Sequence, residues 1–499
     1  MTGSVGSELT KGAAWMVASQ TVDSVVGAIS TIILARLLAP EDFGLTALAW
    51  SLVALLALLR SFSFDLVLIQ RQNATREDYD TAFTFSVLFS VFLALLLGLA
   101  ARPFARIYGD MRLVPIVWLI ALSTFIEGIQ NIGIVDFRKD LLFDREFVFV
   151  LVRRLGSFVI TVVLAITFHN YWALVLGSLS GAVLATVLSY VLHPFRPRFM
   201  TRSWRAIFGF SKWNAINAAA HATSLRAGDF LIGKLSGPAA LGLFELSNDV
   251  AFLTSSALGA PINRAVYPGY ARTAQDHESL RATFQLVIAL IAILIMPAGV
   301  GLASISDSLV PIVLGPQWLA AIPLVAVLAF RGLIHALVSN VPYVYLAIGK
   351  PKLATYALVA RAVLLLPMLW FGLTGWGVLG AAYAFTASMA LEIPIHLFIV
   401  RRELQIRIAS VLESLWRPTV AAGLMAVAVR FASVSWLTPE GRAASILRLV
   451  ALVVIGAVTY TAAVVGLWQL RGRPSGAERA VFDAVGARFT AWSGRQAES

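Results

Sequence analysis

The sequence predicts an all-α integral membrane protein of about 14 transmembrane helices: two six-helix lobes related by an internal parallel repeat, then two C-terminal helices. Three observations carry this. Apolar residues make up 59% of the 499-residue chain and charged residues only 13%, against roughly 45–50% and 25% in soluble domains. A soluble globule could not hide that much apolar surface, because its outer shell must meet water. Apolar stretches of about 20 residues recur along the chain, the length that crosses a hydrocarbon core. The connections between them are short and leave no room for a sizeable aqueous domain.

Span one, 13–37, stops before Pro40, which lacks the amide that a helix interior needs. Span two, 43–66, opens behind Glu41 and Asp42, acids that suit a helix N-terminus. Spans three to six follow at 80–101, 113–135, 147–168 and 171–192. A connection with Arg196, Arg198, Arg202 and Arg205 leads to 207–234, 240–266, 283–303, 318–347, 353–372 and 376–399. A last pair lies at 416–434 and 444–468. The longer spans must tilt, bend or protrude. The organisation expected is an N-lobe (1–195), a C-lobe (196–400), spans thirteen and fourteen (401–470) and a cytoplasmic tail (471–499) that is short and amphipathic or disordered.

An even number of spans puts both termini on one side. Lys and Arg crowd the loops of that side, whereas the opposite loops hold Arg102, Arg106, Arg112, Lys234 and Arg442. The positive-inside rule then places both termini in the cytoplasm. The formal charge of +12 is loop charge on this reading; no nucleic-acid partner is expected, since the basic residues do not gather on one soluble module. Zero cysteines exclude disulfides, thiolate metal sites and cysteine nucleophiles. Met1–Lys11 is polar and precedes a full-length span, the pattern of an uncleaved anchor.

The stretch ILARLLAPEDFGLTA at Ile33–Ala47 is echoed by LIGKLSGPAALGLFE at Leu231–Glu245, at an offset of about 198 residues. Pro40 matches Pro238, Gly44 matches Gly242, Leu37 matches Leu235 and Leu45 matches Leu243. Each copy leaves a long span, turns at proline and re-enters after glycine, which permits close backbone approach. A six-span unit repeats the same way up, as in transporters whose halves enclose a central cavity and rock about it.

Span one carries Gln20, Asp23, Ser24, Gly27 and Thr31 at helical spacing; span seven carries Asn214, Asn217, His221, Ser224 and Gly228. Asp23 maps onto His221 under the repeat. Such stripes either line a cavity or serve as polar glue between helices. Further charges fall within spans: Arg60, Asp65, Glu127, Arg153, Arg154, Arg226, Asp229, Asp249, Arg331, Arg361 and Glu392. Each would cost at least about 2.5 kcal/mol facing lipid at mid-depth, so each should face protein or water. As a set, Arg60, Arg153, Arg154, Arg226, Arg331 and Arg361, with Gln20 and Asn217, make a candidate anion-accepting cavity, because guanidinium pairs bidentately with phosphate. The competing reading has individual arginines snorkelling or pairing in place, Arg60 with Asp65 and Arg226 with Asp229. Asp23, His221, Asp229, Asp249 and His335 are candidate ion-coupling groups, since histidines and desolvated carboxylates titrate in a useful range. The residues do not choose between proton coupling, sodium coupling and none.

No Walker-type glycine loop and no metal-spaced histidine pair is present. No cofactor, metal or catalytic residue is expected. The turn LARLLAPEDFGLTALA, its echo LIGKLSGPAALGLFELSND, FGFSKW at Phe208–Trp213 and YLAIGKPK at Tyr345–Lys352 resemble bacterial polysaccharide-export flippases. The group resembled is the Wzx/WzxC-like branch of the multidrug/oligosaccharidyl-lipid/polysaccharide exporter superfamily, over about residues 8–410. The resemblance implies a non-enzymatic inner-membrane transporter. It would flip an undecaprenyl-pyrophosphate-linked oligosaccharide by alternating access, in contact with membrane lipid and with the polymerase and chain-length partners of an export pathway. A peptidoglycan-precursor flippase or a drug/cation antiporter would share the fold. A polysaccharide polymerase is the enzymatic rival, and would need a larger outer loop than this chain offers.

Overall fold

The computed structural model describes residues 2–56, 68–69, 71, 74–202, 226, 228–253, 266, 269–270, 272–435, 441–474, 476–480 and 482–483. Among them no strand occurs. Among the described residues nine helices are long and apolar enough to cross a membrane, or ten if one bent pair forms a single span. The protein is a multi-span all-α membrane protein. It divides into two compact units, Met1–Leu246 and Ser247–Ser499.

The first unit contains α1 (Thr2–Leu37), α2 (Pro40–Leu56), α3 (Arg76–Tyr108), α4 (Leu113–Gly128), α5 (Phe143–Phe168) and α6 (Trp172–Leu192). It ends within α7, a helical stretch (228–253) that breaks at Gly237 (φ 85°) just ahead of Pro238. α1 breaks off just ahead of Pro40, which opens α2. Asp42 caps this corner: its Oδ2 accepts from the Ala39 amide at 2.9 Å, and its Oδ1 from the Tyr171 amide at 2.8 Å. α3 begins behind Thr75, whose amide donates to Asp78 at 3.0 Å, satisfying a donor that the first helical turn leaves open. It ends at Gly109, where φ of 70° suits glycine. α1 packs along α5, α5 along α6 and α3 along α4.

Span four differs from its expected extent. The sequence runs it to 135, but α4 stops at Gly128 and the chain turns by 71° into the segment Ile132–Lys139. Asn131 causes the turn. Fully buried, it gives its side-chain amide to the carbonyls of Ser189, His193 and Phe195, and accepts from the Gly133 amide at 2.9 Å. The hydrogen bonds of this one amide hold the end of α6 and the connection after it in place.

The second unit contains α8 (His277–Val313), α9 (Ile322–Val338), α10 (Val341–Ala347), α11 (Lys352–Ala390), α12 (Glu392–Leu404), α13 (Ile408–Ser435) and α14 (Arg442–Leu470). Asp276 caps α8, accepting from the amides of Glu278 and Ser279. At 37 residues and about 1.5 Å per residue, α8 is longer than a hydrocarbon core of about 30 Å, so it protrudes. α11 is broken at Trp376 and Gly377 (φ 59°), the first two residues of the expected span twelve. α8, α13 and α14 share a core that includes Ile291, Met425 and Leu452. The start of the tail is ordered: Glu478 is buried and pairs with Arg417 of α13 at 2.8 Å.

Candidate functional site

Three helices of the first unit each turn a stripe of mixed polar and apolar residues toward one cavity. On α3 the stripe is Ser86, Phe89 and Ser90; on α4 it is Thr124, Glu127 and Gly128; on α5 it is Glu146, Phe149, Val150 and Arg153. The spacings of three and four put each set on one helical face. The cavity measures about 390 Å³, within the range of small-ligand sites. It exists because α4 ends early. Gly128 lets α4 lie so close to α3 that a Cβ there would sit 1.8 Å from Ser90 Oγ, and the 71° turn then carries the chain away, leaving open space before α5.

Arg138 and Glu146 pair with each other at the wall, 2.5 Å apart. Arg153 is different. Half-buried on the same wall, it has no acidic partner among the described residues. Its neighbour Arg154 points to α1, with Nε 3.2 Å from Asp23 Oδ1. Gly27, one turn along α1, makes room: a Cβ there would lie 2.8 Å from the Arg154 guanidinium. The two adjacent arginines thus have separate surroundings. Gln20 is exposed on α1.

Arg226 pairs with Asp229, as the sequence allowed, at 3.1 Å, and also with Glu245 at 3.3 Å. Glu245 went unremarked in the sequence, although it ends the repeated stretch. Asp229 is only 2% exposed. Arg60, Asp65, Asn217 and His221 lie outside the described residues.

In the second unit Arg331 is buried between two aromatic rings, 5.0 Å from the centre of Phe252 and 4.6 Å from that of Phe385. Such stacking stabilises a desolvated guanidinium, which also donates to Asn248. His335, one turn along α9, packs its ring 5.2 Å from Phe252. Asp249 is exposed. Arg361 on α11 pairs with Glu392 on α12 at 3.3 Å, both largely buried. One turn on, His396 Nδ1 lies 2.9 Å from the Tyr345 hydroxyl. His396 escaped the sequence reading; the signal was an acid and a histidine four residues apart in an apolar run.

The two copies of the repeated turn lie together in the first unit. A Cβ on Gly44 would come within 1.7 Å of the Pro238 carbonyl oxygen, and one on Gly242 within 1.8 Å of the Pro40 carbonyl oxygen. Nearby, Lys234 donates to the Ile107 carbonyl and Tyr108 to that of Phe230 at 3.2 Å. On the same side Arg112 bridges Asp110 and Glu41; this guanidinium holds the Asp110 carboxyl below the usual range.

Residues 33–323 match the family model described as "Polysaccharide biosynthesis protein". The lipopolysaccharide biosynthesis protein WzxC of Escherichia coli (strain K12) is 21% identical over 83% of this chain and 85% of its own length. The succinoglycan biosynthesis transport protein ExoT of Rhizobium meliloti (strain 1021) is 23% identical, covering 91% and 92%. Among solved structures, the lipid II flippase MurJ in an inward closed conformation superposes with a TM-score of 0.75 over 91% of this chain and 98% of its own, at 11% identity; that likeness is one of fold. The resemblance to polysaccharide exporters drawn from the repeated turn agrees with these matches. The chain belongs to the polysaccharide biosynthesis protein family.

Proposed function

We propose that the protein is a flippase, not an enzyme, that carries an undecaprenyl-pyrophosphate-linked oligosaccharide from the inner to the outer leaflet of a bacterial inner membrane. Both termini face the cytoplasm in this reading. Arg153 supports it best: among the described residues this guanidinium has no acidic partner, and it stands on the wall of a cavity lined by membrane-spanning helices. A lone cation at this depth is expensive unless water or an anion meets it, and phosphate oxygens satisfy guanidinium geometry. Arg154, Arg226 and Arg361 already have acids beside them, so they shape the bundle and leave the anion to Arg153. The names of WzxC and ExoT add that relatives of this length serve polysaccharide biosynthesis and transport.

The reciprocal contact of Gly44 with Pro238 and of Gly242 with Pro40 supports alternating access. Two like turns that meet without intervening side chains form a seam that can part as a unit. Coupling to a proton or sodium gradient, and contacts with polymerase and chain-length proteins, belong to the same proposal. Lipid-linked intermediates in a deletion strain test it. A finished repeat unit held on the inner face supports the flippase; one accumulating on the outer face indicates a polymerase. A lethal deletion points to a peptidoglycan-precursor flippase, and drug sensitivity to an antiporter.

A further inference from the structure

Where α14 leaves the membrane, the chain turns back on itself. We propose that this turn is a headgroup site: Arg471 and Arg473 hold the phosphate of an anionic phospholipid, and the tail beyond them lies along the bilayer surface with Phe482 against lipid. The inference does not rest on the flippase reading.

The position comes first. α14 is long and apolar enough to cross the membrane and ends at Leu470, so the residues that follow stand at headgroup depth. Two tryptophans mark the level, as indole rings do at a bilayer boundary. Trp468 lies in the last turn of α14, and Trp416 of α13 has its ring centre 5.3 Å from the Arg471 guanidinium. The reversal is built from local bonds. Gly472 and Arg473 take φ of 76° and 56°. The Arg473 amide donates to the Trp468 carbonyl, and the Trp468 indole donates to the Pro474 carbonyl, both at 3.1 Å. Residues 477–480 are helical, with Ala477 buried and Glu478 paired to Arg417. A buried ion pair adds little net stability; this one fixes the tail against α13.

The surface so fixed has one sign of charge at the turn and apolar side chains beside it. Arg471 and Arg473 are exposed, and among the described residues neither has an acidic partner. Their neighbours differ: Arg417 has Glu478, and Arg479 has Asp483 at 3.7 Å. Leu470 is 85% and Phe482 62% exposed, although the Phe482 ring centre is only 5.9 Å from that of Trp468. Guanidinium groups beside apolar side chains suit a layer that is anionic above and hydrocarbon below. Phosphate oxygens fit guanidinium geometry, and stacking on Trp416 holds Arg471 ready for them. A soluble acidic partner would satisfy the two arginines and leave Leu470 and Phe482 in water.

Because the chain has no cysteine, Phe482→Cys gives the full-length protein a sole thiol, and an apolar NBD fluorophore on it takes the place of the ring. The labelled protein is reconstituted in vesicles of phosphatidylcholine alone or of an equimolar mixture with phosphatidylglycerol. Both carry the same share of a phosphatidylcholine with a nitroxide on its headgroup, which quenches NBD on contact with the surface. The ratio of surface-held to free tail, read from the quenched fraction, is expected to rise about thirtyfold with phosphatidylglycerol, since each arginine near an anionic surface contributes about fivefold. Arg471→Gln with Arg473→Gln should abolish the rise, and Arg479→Gln should leave it in place. If the double variant does not insert, Arg473→Gln alone takes its place, with a loss of about fivefold. Equal quenching in the two kinds of vesicle overturns the headgroup site, and a probe unquenched in both leaves the tail to a soluble acidic partner. A rise that survives the double variant, or that Arg479→Gln removes as fully, assigns it to diffuse loop charge and overturns the site as well. None of these outcomes bears on the flippase reading.

Discussion

Gly44 lies against Pro238 so closely that a Cβ on the glycine would come within 1.7 Å of the proline's carbonyl oxygen, and the repeat-related pair Gly242 and Pro40 shows the same contact at 1.8 Å. Both obstacles are backbone atoms, so no rotamer change relieves them. Alanine at either glycine should therefore destabilise this arrangement by about 1–3 kcal/mol, the usual penalty of overpacking. The double variant should lose less than the sum, because the first methyl already separates the turns. Thermal unfolding of the purified protein measures both. Fully additive losses would mean that the two contacts are independent.

Adjacent arginines on α5 should behave differently. Arg153→Ala is expected to reduce export about tenfold or more, losing one charge-assisted contact to cargo, with the protein still inserted. Arg154 faces Asp23, so Arg154→Asp should be rescued by Asp23→Arg. Quantifying surface polysaccharide in complemented deletion strains compares them. Equal export from wild type and Arg153→Ala would remove the anion role.

The Arg361–Glu392 pair gives a stability test in the second unit. Both side chains are largely buried, so Glu392→Ala strands a desolvated guanidinium and should cost about 3–5 kcal/mol. Replacing both by Met should be far milder, since an apolar pair needs no partner. Unfolding midpoints of the single and double variants decide; a double variant as unstable as the single would mean that the ion pair itself carries the stability.

His193 follows α6 and gives a pH dependence. Burial pushes its pKa down, and nearby Asp136 opposes this incompletely. The neutral ring is in use: the Phe195 amide donates to Nδ1 at 3.2 Å, and Nε2 lies 3.4 Å from Asp136. With the folded pKa below the ordinary value of about 6.5, the folded state binds fewer protons than the unfolded chain. The contribution of His193 is thus full above about pH 6.5 and shrinks as pH falls below it. The unfolding midpoint should drop on acidification to about pH 5.5, and His193→Gln should flatten that part of the profile. A midpoint equally pH-dependent in the variant would assign the effect to other groups.

Much of the architecture was legible because membrane insertion writes itself into composition. Pro40 and Gly44, with their counterparts Pro238 and Gly242, marked turns that local backbone chemistry dictates. The turn after Gly128 was hidden, since Asn131 acts through carbonyls of Ser189, His193 and Phe195, about sixty residues away in sequence. The intramembrane charges were visible one by one, but their partners were not. Arg154 and Arg153 are identical in sequence and adjacent; the 100° step between them on a helix sends one to Asp23 and the other to the cavity. Ser86, Ser90 and Thr124 looked like ordinary small residues of packed helices. Only the early end of α4 makes a cavity of them.

Transbilayer movement in proteoliposomes tests the central claim most directly. The full chain, reconstituted with its undecaprenyl-pyrophosphate-linked repeat unit, is followed by the fraction of glycan that an impermeant glycosidase can reach. Wild-type protein should raise that fraction toward equilibration while Arg153→Ala leaves it near the protein-free level. Equal movement with both proteins, or none above the protein-free level with wild type, would contradict the account.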